Sequence, residues 1–412
     1  MKEWRRVLAM LAAAWLIASG SLAVIGSGVA SAAKSPIIIG YITDETGVAS
    51  PNFADGAGGA QARIDLQNAE GGVNGHPLKL VAVDDQSSPT VNTTAAQDLV
   101  ESKGAFLVID YSVFTFAAAP YLQKAGVPVV GFAFDGPEWT SPQNRNMFSY
   151  QPPVTGPIDG SYYTYADYGN VLHDLGVTKL AGLSYGISPS SQQAVTSDFA
   201  SAKSVGIGEC YVNDSVAYGA ADFTSEALQI KSAGCNGVTS GFADASVAGL
   251  ASSVKHAGIN AAQLNSTGYD QDVLDDPAAE GALDGTYFAS SINFTTPNSA
   301  TQHMLSTLKK YDPSYRGGIP DYGLYGSYIS ADLAVKGLEL AGKNPTRSSF
   351  ITNLRKVSSY NAGGILPSNT TFQHFGTPAM FPQQQCLDYA ELEHGTFVIV
   401  AKNVCGKLVA TT

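Results

Sequence analysis

At 412 residues the chain is too long for one ordinary hydrophobic core, so two lobes or domains are expected. Only 14% of its residues are charged, yet 44% are apolar, ample for folded cores and not a disordered composition. The formal net charge of −12 leaves nothing to offset phosphate repulsion, which argues against nucleic acid and other polyanions as partners.

Residues 1–33 read as a secretory signal peptide: Lys2, Arg5 and Arg6 give a basic start, 7–29 is apolar, and Ala30-Ser31-Ala32 fits a small-x-small cleavage site. An uncleaved membrane anchor is the other reading of the same stretch. Cleavage removes those three cations and Glu3, a net +2, and takes the charge from −12 to −14. The first cysteine is Cys210, so no lipid-bearing cysteine closes the leader. Nothing later is long and apolar enough to span a bilayer. The expectation is a soluble exported protein, periplasmic or cell-envelope/extracellular, and not a lipoprotein.

The mature chain opens with Ile37-Ile38-Ile39-Gly40-Tyr41-Ile42, apolar at almost every position, as a strand covered on both faces must be. After a polar turn, Phe53, Ala57, Ala60 and Ile64 mark one face of a helix that stops at Gly71-Gly72. A strand over 78–83 then runs into Asp84-Asp85-Gln86. This is a βαβ unit whose first loop lies at the carboxyl end of its strand, where open parallel sheets hold ligands. The alternation continues with a helix over 90–103, a strand over 106–109, a helix closed by Gly126 and a strand over 127–130.

Pro152-Pro153 marks a boundary, since consecutive prolines fit neither helix nor central strand. Helices are then expected over 158–175, 191–205, 222–233 and 245–257, each ended by a glycine, with strands over 178–183, 209–212, 236–241 and 263–266 between and after them. A strand over 285–290, helices over 301–311, 325–341 and 348–354, and a strand-like tail from Ile365 complete the chain. Such alternation predicts an α/β fold of doubly wound parallel sheets.

Four cysteines in an exported chain suggest disulfides. Cys386 and Cys405 bracket a hairpin about Glu393-His394-Gly395 whose midpoint brings them face to face, and Cys210 and Cys235 then pair by elimination. The alternative is four buried thiols. No CxxC or clustered histidine suggests zinc, so no metal is expected, and the sequence implies no cofactor.

Gly182-Leu183-Ser184-Tyr185-Gly186 matches the G-x-S-x-G of a hydrolase nucleophile elbow, and it falls between an expected strand and helix. It lacks an HGGG-type oxyanion loop upstream, and Ile187-Ser188-Pro189-Ser190 delays the helix. A loop serine is the better reading. Gly56-Ala57-Gly58-Gly59 lies inside a helix, where small residues allow close packing, and is no dinucleotide fingerprint.

The loops at the strand ends carry the candidate ligand contacts: Tyr111, Ser112, Val113 and Phe114; Ala133, Phe134 and Asp135; Ser184 and Ser190; Phe242 and Asp244; Tyr269 and Asp270. None of these loops contains Lys or Arg. A bound carboxylate would therefore be held by hydroxyls and helix N-terminal amides. Asp135, Asp244 and Asp270 could pair with a ligand cation, and the aromatics could cover an apolar portion.

Ile39-Gly40-Tyr41, the run Asn68-Ala69-Glu70-Gly71-Gly72-Val73-Asn74-Gly75-His76-Pro77-Leu78 and Val83-Asp84-Asp85-Gln86-Ser87 resemble the solute-binding proteins of branched-chain amino acid ABC transporters. These form the leucine/isoleucine/valine-binding family of the type I periplasmic-binding fold. Ala118-Ala119-Pro120, Ala125-Gly126-Val127-Pro128, Asp222-Phe223-Thr224 and Lys231-Ser232-Ala233-Gly234 support the likeness. It implies two Rossmann-like lobes joined by three crossovers: 34–153 plus 286–364, and 154–285 plus 365–412. It also implies hinge closure on a ligand and delivery to an ABC permease.

The resemblance places the ligand on Ser112 and its neighbours, Ala133 to Asp135, the Ser184–Ser190 loop, Phe242 and Tyr269-Asp270. The chain departs from the amino-acid-binding pattern at Ser112, where a serine pair is expected, at Asp135 in place of a threonine, and near Pro189 in place of a tyrosine. The leading expectation is a monomeric, non-enzymatic binding protein for a small amphiphilic solute, an amino acid or related carboxylate or amide. A serine hydrolase through Ser184 and a ligand-sensing receptor domain are the alternatives.

Overall fold

A computed structural model describes residues 34–134, 136–152 and 157–411. The expected leader and Asp135 lie outside the described residues. The elements run β1 (Ile37–Thr43), α1 (Gly56–Ala69), β2 (Leu78–Asp84), α2 (Pro89–Glu101), β3 (Leu107–Tyr111), α3 (Thr115–Lys124), β4 (Val129–Gly131) and β5 (Met147–Ser149) in the first lobe. The second has β6 (Tyr162–Tyr165), α4 (Asp167–Asp174), β7 (Lys179–Tyr185), α5 (Pro189–Ser204), β8 (Gly208–Val216), α6 (Thr224–Ala233), β9 (Gly237–Ser240), α7 (Asp244–His256), β10 (Ala262–Asn265), α8 (Gln271–Asp275), α9 (Pro277–Leu283) and β11 (Tyr287–Ser290). Then come α10 (Ser299–Tyr311), α11 (Tyr322–Ala341), α12 (Arg347–Leu354), β12 (Gln384–Glu393) and β13 (Thr396–Thr411).

The first sheet is parallel throughout, in the order β2-β1-β3-β4-β5. Every residue of β3 is buried, as its apolar run requires of a strand covered on both faces. The second sheet has the order β6-β13-β12-β11-β10-β9-β7-β8. It is parallel from β8 to β11 and antiparallel from β12 to β6. The chain thus forms the two α/β lobes of the type I periplasmic-binding fold. Helices α10 and α11 return to pack on α1, where Arg63 Nε meets Asp332 Oδ1 at 2.8 Å. The small residues of α1 permit this approach, since a Cβ on Gly59 would strike the Leu324 carbonyl.

The five glycines expected to end helices, Gly126, Gly176, Gly206, Gly234 and Gly258, all adopt left-handed φ between 61° and 90°. Both disulfides form. Cys386 and Cys405 are direct cross-strand partners: a two-residue turn of His394 (φ 50°) and Gly395 (φ 75°) starts the ladder, and register shifts on both sides of Tyr389 bring the two cysteines opposite each other. Cys210 on edge strand β8 is tied to Cys235, just past α6.

Four expectations change. The stretch 158–175 is not one helix: Tyr162–Tyr165 is β6, paired antiparallel with β13, and α4 starts only at Asp167. The strand-like tail from Ile365 forms strands only from Gln384; before that it is loop and turns, with one short helical turn at Pro378–Met380. Tyr287–Ser290 pairs with β10 and β12, so the return to the first lobe begins after β11 and not at 286. The later crossover also lies beyond 365, because Phe372 still packs on Phe148 and Thr370 Oγ1 donates to the Tyr150 carbonyl.

Candidate functional site

The carboxyl ends of the parallel strands in both sheets face a cavity of about 280 Å³ between the lobes. From the first lobe come Asn52 and Phe53 after β1, Val113 after β3, Phe132 and Phe134 after β4, and Tyr150 after β5. Tyr322 and Tyr325 are added by the first turn of α11. The second lobe supplies Tyr185, Ser188, Ser190 and Ser191 around the β7–α5 junction, Tyr218 after β8, Phe242 and Ala243 after β9, and Thr267 after β10.

Aromatic rings form most of this wall. Phe132 stacks on Tyr150 at 5.1 Å, and Phe53 on Phe134 at 5.7 Å. Across the cleft Tyr185 stacks on Tyr218 at 4.1 Å and packs on Phe242 at 4.6 Å. No Lys, Arg or His lines the cavity among the described residues. At the N-terminus of α5, Ser188 Oγ accepts from Ser191 N and bonds Ser190 Oγ at 2.8 Å. Ser191 Oγ in turn bridges Tyr185 N and the Gly241 carbonyl, which fixes the strand end against the helix.

Of the residues expected from the sequence, Val113, Phe134, Ser190 and Phe242 line the cavity. The others, apart from Asp135, lie behind or beside it. Tyr111 is fully buried, its hydroxyl 3.1 Å from that of Tyr150. Ser112 donates to Asp85 Oδ2 and accepts from Phe114 N, while Phe114 packs on Phe116. Ala133 N donates to Ser149 Oγ. Ser184 is a buried residue inside β7, so the expected strand–turn–helix setting of a nucleophile elbow is absent; α5 starts at Pro189.

Beneath the Ser112 loop, Asp44 Oδ2 accepts from Val113 N at 3.0 Å. Burial, then the nearby Asp85 charge, pushes its carboxyl up to about 8. Asp244 and Asp270 sit together at the contact between the lobes, and neither lines the cavity. Asp244 N donates to Asn52 Oδ1 of the other lobe at 3.3 Å, and Asp270 caps α8 through Val273 N. Burial raises both carboxyls, and Asp270 is raised further by the Asp244 charge. Tyr269 packs against Phe294 and Phe397, its hydroxyl 2.8 Å from Thr295 Oγ1.

Several lining residues were missed by the sequence reading. Tyr322 and Tyr325 fall one turn apart at the start of a helix, a spacing that also describes ordinary core. A deeper part of the wall, Thr164, Tyr165, Asp167, Tyr168 and Asp198, comes from β6, α4 and the inner face of α5. The signal for β6 was the aromatic, β-branched run Tyr162-Tyr163-Thr164-Tyr165. Among the described residues no group of three or more His, Cys, Asp or Glu is placed to hold a metal ion.

Two α/β lobes facing one another across an aromatic-lined cavity define a solute-binding protein of the type I periplasmic fold. The chain belongs to the periplasmic binding protein family, whose model matches residues 36–392. It is 28% identical over 325 residues to Leu/Ile/Val-binding protein homolog 3 of Brucella melitensis, covering 76% of this chain and 82% of that one. A branched-chain amino acid ABC transporter protein from Thermus thermophilus with bound valine superposes with a TM-score of 0.75 at 16% identity, covering 90% and 96% of the two chains. A fatty acid ABC transporter substrate-binding protein from Thermomonospora curvata gives 0.71 at 19% identity, covering 89% and 92%.

Proposed function

We propose that this chain is the exported component of an ABC importer that captures a small amphiphilic solute, an amino acid or a related carboxylate or amide, and presents it to a membrane permease. The observation that carries the reading is the aromatic-walled cavity at the carboxyl ends of the parallel strands in both sheets. Its rings suit an apolar body. Ser190, with the amide end of α5, suits a polar oxygen at one end of that body. The valine and fatty acid relatives bracket that chemistry: one zwitterionic and small, the other a carboxylate on an apolar chain. Lobe closure on the solute would create the surface that the permease reads.

Thermal-shift screening of the leader-free protein against amino acids, amides, and aromatic and aliphatic carboxylates tests the reading. Solutes of one of these classes are expected to raise Tm in a saturable way. A flat response across all of them would reject it. Labelling of the protein by a fluorophosphonate, lost in Ser184→Ala, would instead establish a hydrolase.

A further inference from the structure

Behind the aromatic cleft the cavity continues into the second lobe and reaches two carboxyls, Asp198 and Asp167. Asp198 projects from the inner face of α5, in line with Ser191 and Ala194, which also border the cavity. Part of its surface is open to the cavity, and among the described residues its carboxylate accepts a hydrogen bond from Thr239 Oγ1 alone. Asp167, at the start of α4, is 3% exposed. One of its oxygens accepts from Tyr168 N, and the other, Oδ2, is buried with no hydrogen-bond partner among the described residues. The hydroxyl of Tyr165 beside it is likewise unpartnered.

A buried carboxyl oxygen without a donor is destabilising, and more so if charged. Two carboxyls close enough to feel one another's charge, one of them with such an oxygen and neither paired with a cation among the described residues, are a poor arrangement for stability alone. The titratable groups that face them are Tyr165 on β6, Tyr168 on α4 and Tyr389 on β12, none of which supplies positive charge. Burial accordingly holds both acids up at about 7. What the site lacks among the described residues is a donor of positive charge, and it borders the ligand cavity.

We propose that this arm is a cation subsite: Asp198, backed by Asp167, takes the ammonium or amidinium group of a solute whose apolar body lies against the aromatic cleft. The inference rests on the reading of the cleft as a solute site. The position also separates this cation from any oxygen held at Ser190. Asp198 follows Ser190 by eight positions along α5, about 12 Å along the axis. An α-amino acid cannot put its carboxylate and α-ammonium that far apart. The solute's positive group would therefore be at the far end of its body.

Phenethylamine, hydrocinnamate and phenethyl alcohol share one apolar body and differ in the charge they bring. Calorimetric titration near pH 7 is expected to give the amine at least about tenfold tighter binding than either of the others. Asp198→Asn should erase that preference, and Asp167→Asn should reduce it. Amine binding should also release protons, because a cation favours the ionised carboxyls, so its apparent enthalpy should change with the ionisation enthalpy of the buffer. Both variants should fold at least as stably as the parent above neutral pH, which circular dichroism melting checks. Equal or better binding of hydrocinnamate or the alcohol, a preference that survives Asp198→Asn, or no binding by any of the three would overturn the subsite. Amino acids or carboxylates that still raise Tm in the broader screen would then leave the cleft's solute role standing.

Discussion

Asp321 stands at the head of α11, where its Oδ1 accepts the Leu324 amide at 2.6 Å as the helix N-cap. Burial, and then the charges of Asp55, Asp270 and Asp272, pushes its carboxyl up to about 8. The native state thus keeps a proton that the unfolded chain gives up near pH 4. Stability is then fully present at low pH and falls as pH rises from about 4 to about 8. Asparagine caps helices as well as aspartate and cannot ionise. Asp321→Asn should therefore leave stability unchanged at pH 4 and raise it at pH 8.5 by on the order of 2 kcal/mol, a few degrees in Tm. Identical melting of variant and parent at the higher pH would mean that the carboxyl ionises there without cost. At the same scale Ser112 shows how a candidate contact can be occupied from within: its hydroxyl serves Asp85, and Asp85 also holds Ser87 N and Asn92 Nδ2.

Among the elements, the β12–β13 hairpin is held by its turn, its register and the Cys386–Cys405 bridge, which closes a loop of 19 residues. Loop-closure entropy gives such a bridge about 3 kcal/mol. The double variant Cys386→Ser with Cys405→Ser should lose about that much in chemical denaturation, and an unchanged midpoint would show that the hairpin's own ladder suffices. This hairpin was legible in the sequence because its signals are local: a His-Gly pair between apolar runs, with a cysteine on either side, eight residues before His394 and ten after Gly395. The glycine-ended helices were legible for the same reason. Strand β6 was not, because its pairing partner β13 lies far along the chain and no neighbouring residue records the match. The site divides likewise. Loops such as Val113 and Phe134 follow from topology, since strand ends are readable. The contributions of α4, α5 and α11 depend on how each helix is rotated against its sheet, which composition does not encode.

For the molecule as a whole, the proposed capture of a solute requires the lobes to part, and two hydrogen bonds would report directly on that motion. Asp244 N donates to Asn52 Oδ1, and Gln271 N donates to the Ile319 carbonyl at 2.9 Å; each joins a second-lobe amide to a first-lobe oxygen. Hinge opening breaks both without disturbing either sheet. By contrast Val108 N, bonded to the Pro128 carbonyl at 2.9 Å in the middle of the first sheet, is released only by unfolding of that lobe. If the open form holds about 0.1–10% of the solute-free population, the Asp244 and Gln271 amides are protected only about ten- to a thousandfold. Val108 should be protected by many orders of magnitude more. A solute that closes the cleft should slow exchange at Asp244 and Gln271 together and leave Val108 unchanged. Hydrogen exchange resolved to these amides decides the matter: if Asp244 and Gln271 in the solute-free protein exchange as slowly as Val108, the lobes do not open, and capture by hinge closure fails.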